Sequence, residues 1–416
     1  MSPEIIGVTE SLLESQVIDG TTRIVLLVLD GVGDLPDPAH GGRTPLEAAR
    51  TPHLDALTPG AALGRLMPVA PGITPGSGPG HLALFGYDPV TTRVGRGVLE
   101  ALGIGLELRH GDVAARANFC TVDGGGIVTD RRAGRISGEA SARLVESLSR
   151  EASRIEDVEV LLKAGKGHRF VAVLRGAGLT GEVSDADPHR EGSAIPPARP
   201  LGDGSGAAAG AVKTARIVNA FVAGAGERLR GEPAANAVLL RGLSARPALA
   251  GYRERFRLRA AAIAAYPMYR GVAQLAGMDV FPVGERVSDA FAATAARWSD
   301  FDFFFIHIKG TDMAGEDGDF AAKVAVIEEV DRALPALLAL SPDVLCVTGD
   351  HSTPVMVRGH SWHPVPALVA ARWCGADGAS RFHEASCRAG SLGVLPSRDL
   401  MALLLANAGR LDKYGA

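Results

Sequence analysis

The chain has 416 residues, enough for roughly two or three domains and well above the size at which burying a core is limiting. Apolar residues make up 46% and charged residues 22%, an ordinary globular balance that excludes disordered, collagen-like and disulfide-scaffold classes. Lys plus Arg number 43 against 47 Asp plus Glu, a net −4, so no global basic field favours nucleic acid or an anionic membrane and any bound anion must be held locally.

In chain order, Met1 to Asp19 carries Glu4, Glu10 and Glu14 and no Lys or Arg, unlike the basic start of a signal peptide. Arg23 to Leu29 is a continuous apolar run ending at Asp30-Gly31-Val32-Gly33-Asp34, which predicts a strand buried on both faces of a parallel sheet. Thr44-Pro45-Leu46-Glu47 starts a helix with Thr as cap and Pro in the first turn. Pro71 to His81 is a Gly/Pro-rich loop presenting Ser77 before a helix start; backbone N–H groups and a hydroxyl in such a loop can approach a phosphate, although most loops of this composition are only loops. Arg116, then Asp130-Arg131-Arg132-Ala133-Gly134-Arg135, Arg241 and Tyr269-Arg270 supply guanidinium forks that suit a small dianion, or lie as ordinary surface arginines in an Arg-rich chain. Val158 to Lys163 and His168 to Leu174 read as an antiparallel hairpin, followed by a Pro/Gly/Ala-rich stretch from Asp185 to Gly210. Gly206 to Thr214 does not fit the spacing of a phosphate-binding P-loop.

Phe301 to Ile308 is a second buried-strand run ending at Lys309-Gly310-Thr311-Asp312, Phe320 to Leu340 a long amphipathic helix, and Val344 to Val347 a third strand ending at Thr348-Gly349-Asp350-His351. All three strands hand over to Asp at their carboxyl ends, the edge at which open α/β sheets bind ligands. Any one of these Asp residues serves equally well as a helix cap. Asp30, Asp312, Asp350, His351 and His360 converging at one edge would suit divalent cations, and His360 and His363 follow His351 by nine and twelve residues. Only six cations are Lys, at positions 163, 166, 213, 309, 323 and 413, so each is worth attention. Four Cys form no CxxC pair, which fits a reduced, cytoplasmic setting, and no apolar run approaches the roughly 18 to 20 residues of a membrane span. The texture divides the chain into a discontinuous domain, residues 1–105 and 256–416, interrupted by a smaller α+β domain at 106–255.

The assembled motifs resemble those of archaeal-type cofactor-independent phosphoglycerate mutases. They are Leu29-Asp30-Gly31-Val32-Gly33-Asp34, Thr44 to Asp55, Gly76-Ser77, Phe85 to Pro89, Gly95 to Gly103, Asp130 to Ile136, Lys309 to Gly315, Thr348 to Ser352 and His360 to Pro366, in one order over residues 23 to 405. The resemblance implies an α/β, alkaline phosphatase-like domain with a mostly parallel sheet, interrupted by the inserted domain. It implies interconversion of 3-phosphoglycerate and 2-phosphoglycerate through a phosphoserine on Ser77. Asp30, Ser77, Asp350 and His351 would hold one divalent ion and Asp312, Glu316 and His360 the other. Arg116, Arg131, Arg135 and Arg270 would clamp the substrate, and Asp130, Asp185 or Asp187 would supply a general acid or base. The oligomeric state is left open.

The chain departs from the family pattern twice. Glu316 stands where the pattern has His, adding negative charge and favouring manganese or magnesium over zinc or cobalt. Gly78 replaces the acid that commonly follows the serine, so that Ser77-x-x-Gly80-His81-Leu82 is similar to the loop of the longer bacterial mutases. The alternative functions are a sister phosphotransferase on the same scaffold (homoserine kinase, phosphonate-metabolism enzyme or phosphomonoesterase) and a silent metal-binding protein. Retention of Ser77 with all of the acidic and imidazole positions argues against the last.

Overall fold

The computed structural model describes residues 10–92, 94–201 and 209–415, so Glu4 and part of the Asp185 to Gly210 stretch lie outside the described residues. The chain forms two compact units, one comprising residues 1–93 and 249–416 and the other Val94–Ala248.

The discontinuous unit is built on an eight-stranded sheet. Its order is Asp279–Pro282, Ala260–Ala264, Phe303–Ile308, Ile24–Leu29, Val344–Thr348, Val365–Ala371, Ala61–Met67 and Gly393–Pro396. The first five are mutually parallel and Val365–Ala371 runs antiparallel to both its neighbours. Every residue of Ile24–Leu29 is buried, as its unbroken apolar run requires of a central strand covered on both faces. Val25, Leu27 and Leu29 share a core with Ile327, Val330, Leu334 and Leu337 of the Phe320–Leu338 helix. That helix is started by Asp319, whose carboxylate accepts from the Ala322 N–H. Aromatic packing of Phe85 on Phe305, with ring centroids 4.8 Å apart, seats the end of the Ser77–Leu84 helix against the sheet. Thr44 caps Pro45–Ala48 as the sequence led us to expect, and Glu47 completes a reciprocal capping box with it.

The other unit is an antiparallel sheet in the order Arg154–Ile155, Val158–Ala164, Arg169–Arg175, Val113–Val122, Ile127–Asp130 and Ser193–Ala194, with Ala237–Ala245 also paired to Val113–Val122. Phe119, Phe170, Val218 and Phe221 lie in its core, the last two from the Ala209–Arg228 helix. Its limits differ from those expected from texture. The helix Arg96–Gly103 packs on Val113–Val122 and Ala237–Ala245 and so belongs here rather than with residues 1–93, whereas Tyr252–Phe256 belongs to the discontinuous unit.

Candidate active site

Three adjacent parallel strands end side by side, which is why residues as far apart in sequence as Gly31 and Asp350, 319 positions, meet. Ile24–Leu29 delivers Asp30; Phe303–Ile308 delivers Lys309 and then Asp312 in the first turn of the Gly310–Asp317 helix; Val344–Thr348 delivers Asp350 and His351. Close approach is paid for with glycine at two points. Gly31 has φ +63°, and a Cβ there would stand 2.4 Å from Thr353 Oγ1 and 2.8 Å from Asp312 Oδ1. At Gly80 a Cβ would stand 2.6 Å from the Asp350 carbonyl oxygen, so glycine lets the Ser77 helix rest on the Asp350 loop.

Asp30, Asp350 and His351 form one group of ligand atoms lying within 4.8 Å of one another, and Asp312, His351 and His360 a second. The hydrogen bonds decide how His351 is shared. The Thr353 hydroxyl donates to Asp312 Oδ1 at 2.6 Å, so it accepts from His351 Nδ1 at 3.0 Å. That leaves His351 Nε2 facing Asp350 Oδ2 at 3.2 Å, Asp30 Oδ1 at 3.4 Å and Ser77 Oγ at 3.4 Å. His360 donates from Nδ1 to the Pro75 carbonyl at 3.0 Å, which turns its Nε2 toward Asp312 Oδ1 at 3.6 Å and Glu316 Oε1 at 3.8 Å. Glu316 is half exposed and stands outside the tight group.

The donor set fits divalent cations on a direct observation. Asp30 Oδ1 and Asp350 Oδ2 are buried, and among the described residues neither accepts a hydrogen bond. Two bare carboxylate oxygens facing one imidazole nitrogen in the interior need a positive charge between them. Burial and the Asp350 charge push the Asp30 carboxyl up, but the His307 hydrogen bond and the His307 and Lys309 charges outweigh them and hold it below its ordinary value. Burial acts likewise on Asp350, and the neighbouring His351 and His81 outweigh it and keep the carboxylate well below the usual range.

Surrounding side chains aim these ligands. His307 Nε2 donates to Asp30 Oδ2 at 2.9 Å, and its ring stacks on Tyr269 with centroids 3.8 Å apart. His81 Nδ1 donates to the Ser77 carbonyl at 2.8 Å and lies 3.1 Å from Asp350 Oδ2. Lys323, wholly buried, donates to Asp34 Oδ2 at 2.7 Å and to the Gly31 and Thr353 carbonyls, each at 2.9 Å, tying together the loops that follow two of the strands. Lys309 is held in its charged form: burial opposes the charge, and the Asp30 and Asp312 carboxylates more than reverse that effect.

The Val94–Ala248 unit gathers arginine. Asp130, Arg131, Arg132, Arg135, Arg190 and Glu191 line a basin of about 380 Å³. Arg131 is clamped on the buried Asp187 at 2.7 and 2.9 Å. Arg116 pairs with Glu100 at 3.0 Å and faces Arg241 in the strand register. Burial pushes its pKa down to about 10, Glu100 opposing and Arg241, Arg169 and Arg96 adding to the fall. Mutually repelling arginines in a half-buried patch are a ready anion site. Asp130 accepts from the Arg132 N–H at 2.7 Å and the Gly134 N–H at 2.8 Å; these bonds lower its pKa and shape the turn carrying Arg131 to Arg135. Asp185 accepts from the Gly242 N–H at 2.7 Å and faces His189 Nε2 at 3.0 Å.

The sequence profile of a family described as 2,3-bisphosphoglycerate-independent phosphoglycerate mutase matches residues 60–235. A Thermotoga neapolitana protein named "Probable 2,3-bisphosphoglycerate-independent phosphoglycerate mutase" is 52% identical over 400 residues, 96% of this chain and 97% of its own. The chain belongs to that family. A Thermus thermophilus protein of the same name is 51% identical over 401 residues, covering 95% of this chain and 96% of its own. The fold is shared with a solved cofactor-independent phosphoglycerate mutase from Thermoplasma acidophilum, with a TM-score of 0.78, 33% identity and coverage of 94% of this chain and 100% of that one. A solved protein from Pyrococcus horikoshii gives 0.77 at 30% identity, covering 95% and 99%.

Against this family background, the structure brings Asp30, Ser77, Asp312, Asp350, His351 and His360 together within the discontinuous unit and places Arg116, Arg131, Arg135, Asp130, Asp185 and Asp187 in the other. Arg270 stands apart from the other expected arginines. It lies in the discontinuous unit, on the Pro267–Leu275 helix, and its guanidinium donates to the Ala264 and Ala265 carbonyls at the end of a sheet strand. Sequence reasoning gave no role to His307, His81, Tyr269, Thr353 or Lys323, although the scarcity of lysine drew attention to the last. The one signal that could have found His307 is a polar residue inside an otherwise apolar buried strand.

Proposed function

We propose that this chain interconverts 3-phosphoglycerate and 2-phosphoglycerate by relaying the phosphoryl group through Ser77. Asp30, Asp350 and His351, with Ser77, would hold one divalent ion, and Asp312, Glu316 and His360 the other. The observation that carries the reading is Ser77 Oγ, 3.4 Å from His351 Nε2 at the buried oxygens of Asp30 and Asp350. When bound, divalent ions lower the pKa of a serine hydroxyl and neutralise phosphoryl charge. The carboxylates and Glu316 favour manganese or magnesium.

Ser77 is the first residue of its helix, and Gly76 provides no side-chain cap, so the N–H groups of Ser77 and Gly78 stay outside the helical ladder and can receive phosphoryl oxygens. Ser77 gives up its hydroxyl proton as Oγ bonds to phosphorus and the bond to the glycerate 3-oxygen breaks, and the glycerate oxygen takes up a proton. The 2-hydroxyl then loses its proton and takes the phosphoryl group back, and the freed serine oxygen is reprotonated. Arg131, fixed by Asp187, together with Arg135 and Arg116, offers the guanidinium forks that a glycerate carboxylate or phosphate requires. Of the three carboxylates considered for proton transfer, Asp130 serves a turn and Asp187 serves Arg131, which favours Asp185 with His189.

Four free cysteines suit a reducing, cytoplasmic setting, and among the described residues no helix is long and apolar enough to cross a membrane. The test is conversion of 3-phosphoglycerate with Mn²⁺ followed through enolase, comparing the wild type with Ser77→Ala. The wild type should turn over and Ser77→Ala should lose essentially all activity. Unchanged activity in the variant refutes the serine relay. ATP-dependent phosphorylation of homoserine without mutase activity refutes the substrate.

A further inference from the structure

Lys309 touches one carboxylate of each ligand group. Its Nζ is 3.2 Å from Asp30 Oδ2 and 2.5 Å from Asp312 Oδ2, and the Tyr269 hydroxyl is 2.7 Å away. These are the outer oxygens of the two carboxylates. The inner ones, Asp30 Oδ1 and Asp312 Oδ1, face His351 Nε2 at 3.4 Å and His360 Nε2 at 3.6 Å. Each aspartate therefore divides its two oxygens between a fixed ammonium and a prospective metal position. The ammonium cannot drift away, because Lys309 immediately precedes the helix that carries Asp312 and its side chain is 17% exposed.

We propose that Lys309 is a resident counter-cation of the two-ion site, which keeps Asp30 and Asp312 compensated when ions are absent and weakens ion binding when they enter. The inference rests on the reading that the two groups hold divalent ions. Two effects follow from one charge. Without an ion, removing the ammonium leaves buried carboxylates facing one another with nothing between them. With an ion, the same ammonium repels a divalent cation a few ångströms away in a medium far less polarisable than water. The residue also settles a matter of charge. Asp30, Asp350, Asp312 and Glu316 together would cancel two divalent ions, so Lys309 supplies the net positive charge that an arriving phosphoryl dianion meets. That need is greater in this chain than in the pattern with His at the Glu316 position.

The experiment titrates Mn²⁺ into metal-free wild type, Lys309→Met, Lys309→Gln and Lys309→Arg by calorimetry, and records thermal unfolding with and without Mn²⁺. Lys309→Gln keeps a hydrogen-bond donor and loses the charge; Lys309→Arg keeps the charge. The two neutral variants should bind Mn²⁺ at least about tenfold more tightly than the wild type. They should unfold at lower temperature when metal-free and gain more from Mn²⁺, while Lys309→Arg stays close to the wild type. Equal or weaker Mn²⁺ binding by both neutral variants, beside a wild type that binds, overturns this inference alone. A wild type that takes up no Mn²⁺ overturns the two-ion reading and this inference with it.

Discussion

Replacing Lys323 by Met should cost about 3–5 kcal/mol of stability, because it removes one partner of a buried ion pair and strands the other. Lys323 and Asp34 are fully buried and 2.7 Å apart. The ammonium also serves the Gly31 and Thr353 carbonyls at 2.9 Å each and the Gly33 carbonyl at 3.4 Å. Burial raises the Asp34 pKa, with Lys323 and the Leu35 and Val355 N–H groups opposing, and lowers that of Lys323 against the pull of Asp34; each ion depends on the other to stay charged. Methionine fills nearly the same volume, so the loss is electrostatic rather than a cavity. In thermal unfolding the loss corresponds to a fall of roughly 6–20 °C in the melting temperature of the discontinuous unit. The double variant Asp34→Asn with Lys323→Met removes both charges and should recover a substantial part of it. A fall below about 2 °C for Lys323→Met, or a double variant less stable than the single one, would refute the argument that the pair is an obligate couple.

Two further outcomes are expected. Burial raises the Glu384 carboxyl from 4.5 to about 7, the Thr44 hydrogen bond and Lys323 charge only partly countering it. The folded chain therefore keeps a proton that the unfolded chain releases, so stability falls as pH rises from about 4.5 to 7 and levels off above. Glu384→Gln removes that slope and should gain on the wild type by up to about 3 kcal/mol between pH 4.5 and 8, read from unfolding temperatures at the two values; an advantage that does not grow with pH rejects the assignment. At Gly80, Ala places a Cβ 2.6 Å from the Asp350 carbonyl oxygen and must push the Ser77 helix off the Asp350 loop. Gly80→Ala should lower kcat about 100-fold while the far-ultraviolet circular dichroism is retained; kcat within threefold of wild type would show that the helix does not set the serine.

What could be read from the sequence follows from how local each determinant is. Strands buried on both faces write themselves as unbroken apolar runs, so Ile24–Leu29, Phe303–Ile308 and Val344–Thr348 were legible, and so were the aspartates at their ends. Lys323 was not. It occupies a helix position that looks like an ordinary charged face, and only the tertiary placement of Asp34 and two loop carbonyls makes it interior. The helix Arg96–Gly103 was assigned to the wrong unit for a similar reason, since the strands on which it packs come later in the chain. Arg270 resembles any other fork in an Arg-rich sequence, and its bonds to the Ala264 and Ala265 carbonyls depend on a strand end that its own sequence neighbourhood does not reveal.

The division of labour between lysine and arginine has a physical basis. An ammonium is a compact charge with three donors that can point at acceptors from different directions. Lys323 uses this to gather acceptors from two loops, and Lys309 to span two carboxylates and a tyrosine hydroxyl. At Lys323 a planar guanidinium could not satisfy such a three-dimensional set without displacing one of the loops. Arginine instead predominates in the basin of Arg131, Arg132, Arg135 and Arg190, where one fork is held in place by the buried Asp187 and where the proposed function has a flat anion to match. Near neutrality overall thus conceals two opposite local problems. Around the ligand groups, excess negative charge is restrained by two of the six lysines; in the other unit, arginines crowd one another, which is what the proposed binding of a small anion would relieve.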